Sequence, residues 1–490
     1  MKYKVIIPDS NQLANVEAAL KIVDHQAEIV APDETAALQL VIDYFQDADL
    51  LVKVKALELG PSGSWEFQDR EIADPRYGPA DKTQRLKELI RLGVIKVVGG
   101  YWQKEPPWGI LSGVRPTKIF HYLRDKGFTV AEIREQLARV YGLTSDKAEL
   151  LLEVGVRQEH FFKPCNFVGI YVGIPFCPTR CHYCSFAAVS LETHRHLVPE
   201  FLRALEWEIG MIGELCRKLN LTVESIYVGG GTPTSLAEAD FGRMLNWVSQ
   251  AFRSEYTAEY TVEAGRPETI TPVKLAAMVQ AGVNRISVNP QTMQQRTLDL
   301  IGRVHTVAQI YEAVSLVKPE PLALNMDLIL GLPGETGADF SNSLSQVMAF
   351  QPDNITIHTL APKRASSWRK NFGKLDLAKD QELRAVNFRI QALLREAGYT
   401  PYYLYRQRAI LADLENIGFG RPGQESVYNI QMMEERQTIF GLGGGAVTKW
   451  VVGPGHRVYR QQNPKCPSNY SHRIKSDVAA KTRQTELLLS

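Results

Sequence analysis

The chain has 490 residues, 44% of them hydrophobic and 22% charged, with a formal net charge of +2. That length suggests roughly two to four domains of ordinary globular composition, and so small a charge gives no reason to expect nucleic acid or a membrane surface as partner. Six cysteines, three of them between Cys177 and Cys184, make no disulfide framework and point to a reducing compartment with thiols kept for metal or catalysis.

The opening "MKYKVIIPDS" lacks the apolar core and small-residue cleavage pattern of a secretory signal. No charge-free apolar stretch approaches the roughly 18 residues of a membrane span. A cytoplasmic enzyme is therefore expected. Residues 1–160 read as an N-terminal accessory α/β domain, with strands expected at "YKVIIP", "LLVKVKALEL" and "VIKVVGG". The segment "EPPWGILSGVRPTKIF" follows, then helices over "VAEIREQLARVYG" and "SDKAELLLEVGVRQEHFF", the second with Ser145 as its expected N-cap.

From Phe167 onward short strands and helices alternate. The strands are "FVGIYVGI", "SIYVGGG", "YTVEAG", "RISVNP", "LNMDLILGL" and "NITIHTLA". Between them lie helical stretches such as the one placing Phe201, Leu205, Ile209, Ile212 and Cys216 on one face. This alternation implies a parallel sheet with right-handed crossovers, and six units suit a partial (β/α)6 barrel over 161–364 whose chemistry sits at the C-terminal ends of its strands. After Arg364 the alternation stops. A helix around "KDQELRAVNFRIQALLREAG", the aromatic "YTPYYLYRQR", the glycine-rich "FGLGGGAVTKW" and a basic tail predict an α+β C-terminal domain over 365–490, covering the barrel and its substrate.

The first barrel strand runs into "FCPTRCHYC", with Cys177, Cys181 and Cys184 spaced C-x3-C-x2-C on a strand-end loop. Thiolates suit an iron–sulfur cluster, zinc or copper(I). A structural zinc needs a fourth ligand, for which His182 is the candidate inside the loop. A [4Fe–4S] cluster on three cysteines leaves one iron open to a small chelating ligand. Spacing and placement leave cluster, zinc and unrelated thiols open. Cys216 reads as core, and Cys165 and Cys466 have no metal spacing.

The triplet after an aromatic-rich strand, together with "YVGGGTPT", "TVEAG", "RISVNPQT", "LIGRVHT" and "NMDLILGLP", resembles the radical S-adenosylmethionine (SAM) superfamily. The resemblance implies a [4Fe–4S] cluster on Cys177, Cys181 and Cys184, whose open iron is chelated by SAM. Reductive cleavage of SAM then yields a 5′-deoxyadenosyl radical. Tyr171 joins the three cysteines as the expected catalytic set. Gly230, Gly231 and Thr232 match the glycine-rich SAM motif, and Glu263 the ribose-binding carboxylate. Tyr171, Tyr183, Gln291, Arg303 and Asp327 match further SAM-site positions, and Ala361 and Val447 match backbone contacts. For each of these singly, a packing or salt-bridge role is the competing reading.

Within the superfamily, "YVGIPFC", "GGGTPT", "RISVNPQ", "IGRVHT" and "DLILGLPGET" are similar to the oxygen-independent coproporphyrinogen III oxidase (coproporphyrinogen dehydrogenase) family. "PWGILSGVRPTKI", "PYYLYRQ" and "YNIQMMEERQTIFGLGGGA" extend the likeness to its N-terminally extended Gram-positive branch. The implied reaction is oxidative decarboxylation of two propionates of coproporphyrinogen III to vinyl groups, giving protoporphyrinogen IX in anaerobic haem biosynthesis. It needs a low-potential donor such as ferredoxin or flavodoxin. Action on another tetrapyrrole, or a non-catalytic haem-chaperone role on the same scaffold, are the alternatives. Arg115, Lys118, Arg406 and Arg408 are candidate propionate ligands, against the simpler reading of surface or salt-bridged side chains. Two positions depart from the family pattern: Gly173 stands where "YxHIPFC" has histidine, and Phe186 where a fourth cysteine follows the triplet.

Overall fold

A computed structural model describes residues 1–31, 33–46, 49–58, 64–72, 74–361, 378–407, 409–453 and 455–489. The described chain divides into two compact units, Met1–Val156 and Arg157–Ser490. In the first, strands β1 (Lys2–Ile6), β2 (Glu28–Ile29), β3 (Leu38–Gln46), β4 (Asp49–Glu58) and β5 (Ser64–Ile72) form one sheet in the order β2-β1-β3-β4-β5. The strands expected at "YKVIIP" and "LLVKVKALEL" are β1 and β4. The run "VIKVVGG" is not a strand: it lies inside the helix Pro79–Trp102. The reason is periodicity over a longer window. Leu86, Leu89, Ile90, Val94 and Val97 recur at helical spacing and are buried, so packing overrides the β preference of valine and isoleucine. Helices Val130–Arg139 and Ser145–Gln158 lie where expected. Ser145 is already helical; the carbonyl of Thr144 before it accepts the Ala148 amide at 2.9 Å.

In the second unit the alternation becomes β6 (Phe167–Ile174), a short pair β7 (Phe176–Cys177) and β8 (Val189–Ser190), then β9 (Thr222–Gly230), β10 (Glu259–Glu263), β11 (Arg285–Ser287), β12 (Ala323–Leu330) and β13 (Asn354–Thr359). Six of these lie side by side, all parallel, in the order β13-β12-β11-β10-β9-β6. Buried apolar residues at alternate positions, such as Val168, Ile170 and Val172 on β6, leave no exposed face, as expected of a parallel sheet covered by crossover helices.

The remaining chain extends the same sheet at both ends. On one side β15 (Asn416–Gly420) pairs antiparallel with β13, and β14 (Thr400–Tyr405) with β15. On the other, β16 (Thr438–Gly443) pairs parallel with β6, followed by β17 (Val447–Val452) and β18 (Arg457–Gln462). The sheet of eleven strands is thus an open, partial barrel with antiparallel edges. The segment expected as a basic tail is the helix Pro467–Leu489, packed along Val198–Lys218. Its inward face carries Tyr470, Ile474 and Val478, apolar at helical spacing in a segment otherwise rich in polar and charged residues.

Between these helices Glu208 and Lys481, both 0% exposed, form an ion pair at 2.7 Å. Glu208 also accepts the Tyr470 hydroxyl at 2.6 Å and the Gly443 amide at 2.8 Å, and Lys481 also donates to the Gly441 carbonyl at 2.7 Å. Breaking such a pair strands a buried charge. Lys481→Met is expected to lower the unfolding free energy by about 3–5 kcal/mol in urea titration. Adding Glu208→Gln should recover much of that loss, because no buried charge then lacks its partner.

Candidate active site

The cysteine loop is clamped at its base. β7 pairs with β8, Phe176 against Val189 and Cys177 against Ser190, so the chain on either side of residues 178–188 is held together. Within the loop the Cys184 amide donates to the Cys181 carbonyl at 3.2 Å, and Ser190 Oγ to the Pro178 carbonyl at 2.9 Å. His182 is anchored to the 300–301 segment: its ring Nδ1 lies 3.1 Å from the Leu300 carbonyl oxygen and its backbone amide donates to the Ile301 carbonyl.

All three cysteines border one cavity of about 550 Å3 at the C-terminal ends of the barrel strands. Among the described residues no three His, Cys, Asp or Glu side chains sit close enough together to share a single metal ion. A cluster needs no such convergence, because each thiolate takes its own iron. Each sulfur also has a polar neighbour: Thr232 Oγ1 at 3.6 Å from Cys177, Arg266 Nη1 at 3.4 Å from Cys181, and the Phe186 amide at 3.4 Å from Cys184. Burial pushes the Cys177 thiol up to about 11, so only a bound cation or cluster would keep it a thiolate at neutral pH. The donor set fits a [4Fe–4S] cluster.

Next to the cysteines the strand ends are stripped of side chains. Gly229 on β9, Gly173 on β6 and Gly443 on β16 stand in register across three strands. A Cβ on Gly173 would come 2.9 Å from the Gly444 carbonyl oxygen, so the histidine of the family pattern has no room here. A Cβ on Gly231 would meet the Phe176 carbonyl oxygen at 2.4 Å and Cys177 Sγ at 3.0 Å. Glycine there lets the β9 loop lie directly against the cysteine loop.

The opposite wall is polar. Glu263, ending β10, accepts from the Gly230 amide and the Tyr227 hydroxyl, yet burial, reinforced by Asp327, pushes its carboxyl up to about 8. Gln291, with φ of 69°, is a non-glycine residue in left-handed backbone, held by bonds from its amide to Asp327 and from the Ile329 amide to its carbonyl. Gln291 Oε1, Asn289 Oδ1 and Arg303 Nε are buried with no hydrogen-bond partner among the described residues. Orphaned polar atoms around one cavity are what a polar ligand completes. Arg303 is otherwise tied to the carbonyls of Gly265 and Asn289 at 3.0 and 2.6 Å and to Tyr183 Oη at 3.3 Å.

Every residue singled out from the sequence for this site, from Tyr171 to Val447 and including Thr232 and Ala361, borders this cavity. The candidate propionate ligands fare differently. Arg406 is buried, its guanidinium donating to the Leu414 and Asp413 carbonyls; it braces a turn. Arg115 and Lys118 belong to the first unit, and Arg408 lies outside the described residues. Cys216 is buried in the core, and Cys165 and Cys466 are exposed away from the site. Sequence reasoning passed over Arg266, which follows Glu263 in "EAGRPE" at a strand end, the position such a barrel reserves for function. It also passed over an aromatic wall in which the near-parallel rings of Tyr171, Tyr227 and Tyr428 form a triangle, with centroids 4.4, 6.0 and 6.3 Å apart, and over His358, whose imidazole lies 3.0 Å from Tyr405 Oη and 3.5 Å from Asp327.

Comparison with known proteins agrees with this geometry. Residues 171–347 match the family model of the Radical SAM superfamily. The chain is 39% identical over 86% of its length, and 85% of the relative's, to the oxygen-independent coproporphyrinogen-III oxidase-like protein HemZ of Bacillus subtilis (strain 168). It is 30% identical to the heme chaperone HemW of the same strain, over 56% of this chain and 69% of that one. Among solved structures, coproporphyrinogen III oxidase (HemN) from Escherichia coli, described as a radical SAM enzyme, superposes with a TM-score of 0.51. It covers 66% of this chain and 73% of that one at 22% identity, a likeness of fold.

The Gly231 contact is directly testable. Gly231→Ala drives a methyl group into the Phe176 carbonyl, and relief of that overlap should cost about 1–3 kcal/mol. Thermal unfolding should register the loss, and iron and sulfide per chain after reconstitution should fall because Cys177 is displaced.

Proposed function

The chain belongs to the oxygen-independent coproporphyrinogen III oxidase-like family of the radical SAM superfamily, whose members use a [4Fe–4S] cluster and SAM, and from that premise we propose that it oxidatively decarboxylates propionate side chains of coproporphyrinogen III to vinyl groups. The observation that carries the reading is the single cavity shared by residues scattered from Tyr171 to Val447. Cys177, Cys181 and Cys184 would hold the cluster, which together with SAM would supply the radical chemistry able to take an unactivated hydrogen.

The chain's own residues then orient and exclude. The backbone of Gly230 and Gly231, with no side chain above it, offers polar groups to the amino acid end of SAM. Glu263 accepts its ribose hydroxyls, and Gln291, Arg303 and Asp327 supply the polar groups on the far wall. The tyrosine stack of Tyr171, Tyr227 and Tyr428 presents a flat, water-excluding surface to a ring system. In this reading Arg180, which borders the cavity, is a propionate ligand. Each propionate gives up one hydrogen atom to the radical, CO2 and one further electron, so the reaction needs an electron acceptor as well as the low-potential donor that reduces the cluster.

The test is an anaerobic assay of reconstituted protein with SAM, dithionite and coproporphyrinogen III, following products by mass. Protoporphyrinogen IX with matching 5′-deoxyadenosine is the expected result. The relatives named heme chaperone motivate the second reading; stoichiometric haem binding with no vinyl product would favour it. SAM cleavage with a different tetrapyrrole and no CO2 release would move the substrate elsewhere.

Glu263 adds a pH dependence. With its carboxyl pushed up to about 8, the ligand-free protein holds a proton that must leave before the carboxylate accepts two hydroxyls. SAM affinity should therefore rise with pH up to about 8 and level off above it. Glu263→Gln should weaken SAM by about 1.5–3 kcal/mol, the cost of one charge-assisted bond, and flatten the profile, both read by equilibrium binding at constant cluster content.

A further inference from the structure

Two arginines are buried beside the cysteine loop, and they face different partners. Arg303 spends its guanidinium on backbone carbonyls and on Tyr183. Arg266, 2% exposed, points its own at the cysteine loop: Nη1 donates to Cys181 Sγ at 3.4 Å, Nη2 to Thr179 Oγ1 at 3.0 Å, and Nε to Glu268 Oε1 at 2.8 Å. Behind it, Glu268 Oε2 lies 3.1 Å from Nδ1 of His305, which is 0% exposed. Burial would raise the Glu268 carboxyl, but His305 and Arg266 hold it down to about 2. Burial lowers His305, whose Nδ1 stands beside Glu268 Oε2 without hydrogen-bond geometry among the described residues. The result is a row, His305–Glu268–Arg266–Cys181, in which an ion pair is set against one sulfur.

Cys177 has a hydroxyl neighbour, Cys184 a backbone amide and Cys181 a full positive charge. A hydrogen bond to a ligating sulfur and a nearby cation both favour the reduced, more negative state of an iron–sulfur cluster. Inside a protein, where water screens little, such a charge acts strongly. Stapling the loop through Thr179 is a structural duty that a neutral donor could also perform; a desolvated cation at a thiolate is costly unless its charge is used or paired.

We propose that Arg266 is a positioning residue that raises the reduction potential of the cluster through Cys181, with Glu268 and His305 fixing its fork and setting how much of its charge the cluster feels. This rests on the reading that Cys181 ligates a [4Fe–4S] cluster. Arg266 makes the cluster reducible by a weaker donor than an uncompensated three-thiolate cluster would accept.

The test is a mediated redox titration of the anaerobically reconstituted full chain, followed by electron paramagnetic resonance, with iron and sulfide per chain measured on the same samples. Arg266→Met should shift the midpoint to a more negative potential at full iron content. Glu268→Gln, which removes the offsetting anion and leaves the cation, should shift it the other way. Thr179→Val, which removes only the loop staple, should leave it unchanged. Opposite shifts from the first two variants are a signature that loop stapling cannot produce. If Arg266→Met fails to retain its cluster, the sign of the Glu268→Gln shift decides. Unchanged midpoints, or shifts of the same sign in both variants, would overturn the proposal. A wild-type chain that takes up no four-iron cluster would instead overturn the family-based reading of the cysteines.

Discussion

The buried Glu208–Lys481 pair is the interaction on which the site's second wall depends. Gly443, the last residue of β16, has φ of 82° and is drawn so close to β6 that a Cβ there would sit 2.3 Å from the Gly173 carbonyl oxygen. Its amide and carbonyl still need partners in a dry interior. Glu208 takes the amide, and Asn463, itself bonded to Glu208, donates to the carbonyl at 3.0 Å. Lys481 then neutralises the carboxylate from a helix at the far end of the chain. A neutral acceptor could satisfy one amide, but an anion accepts from Gly443, Tyr470, Asn463 and Lys481 together. Residues Gly445 to Val447, which border the cavity, are carried by this arrangement.

That constraint explains the family departure at residue 173. Three glycines stand in register on β9, β6 and β16, and the backbone of Gly444 occupies the space that a side chain at 173 would claim, its amide donating to the Gly173 carbonyl at 3.0 Å. The two glycine-rich segments, some 200 residues apart in sequence, are therefore one structural feature.

Charge is sorted around the cavity according to what each part has to face. The buried guanidiniums of Arg266 and Arg303 reach the cysteine loop at Cys181 and Tyr183, where a bound cluster would bring negative charge. The carboxylates Glu263 and Asp327 lie across from them, close enough that Asp327 helps raise Glu263. A cationic sulfonium between the two groups would be drawn toward the carboxylates, and its own carboxylate toward the arginines. Tyr171, Tyr227 and Tyr428 add aromatic surface to the same cavity.

Periodicity along the sequence was enough to reveal the barrel strands, their order and the strand ends that carry the site, because parallel strands buried on both faces read as short apolar runs and crossover helices as amphipathic ones. The cysteine spacing was legible because it is local: a loop of eight residues sets which thiols can act together. The residues matched by motif all proved to share one cavity. Where local and long-range signals conflicted, the tertiary structure decided. "VIKVVGG" is helical because its apolar positions continue a helical stripe begun at Leu86, and the supposed basic tail is a helix because Tyr470, Ile474 and Val478 found an apolar partner. The roles of Arg406 and His182, and the link from His305 to Cys181, depend on which backbone carbonyls and side chains arrive from elsewhere in the chain. Sequence determined the fold type and the cofactor-binding motifs, which follow from residue spacing. Tertiary structure alone decided which charges meet, because an ion pair is set by distance in space and carries no periodic trace along the chain.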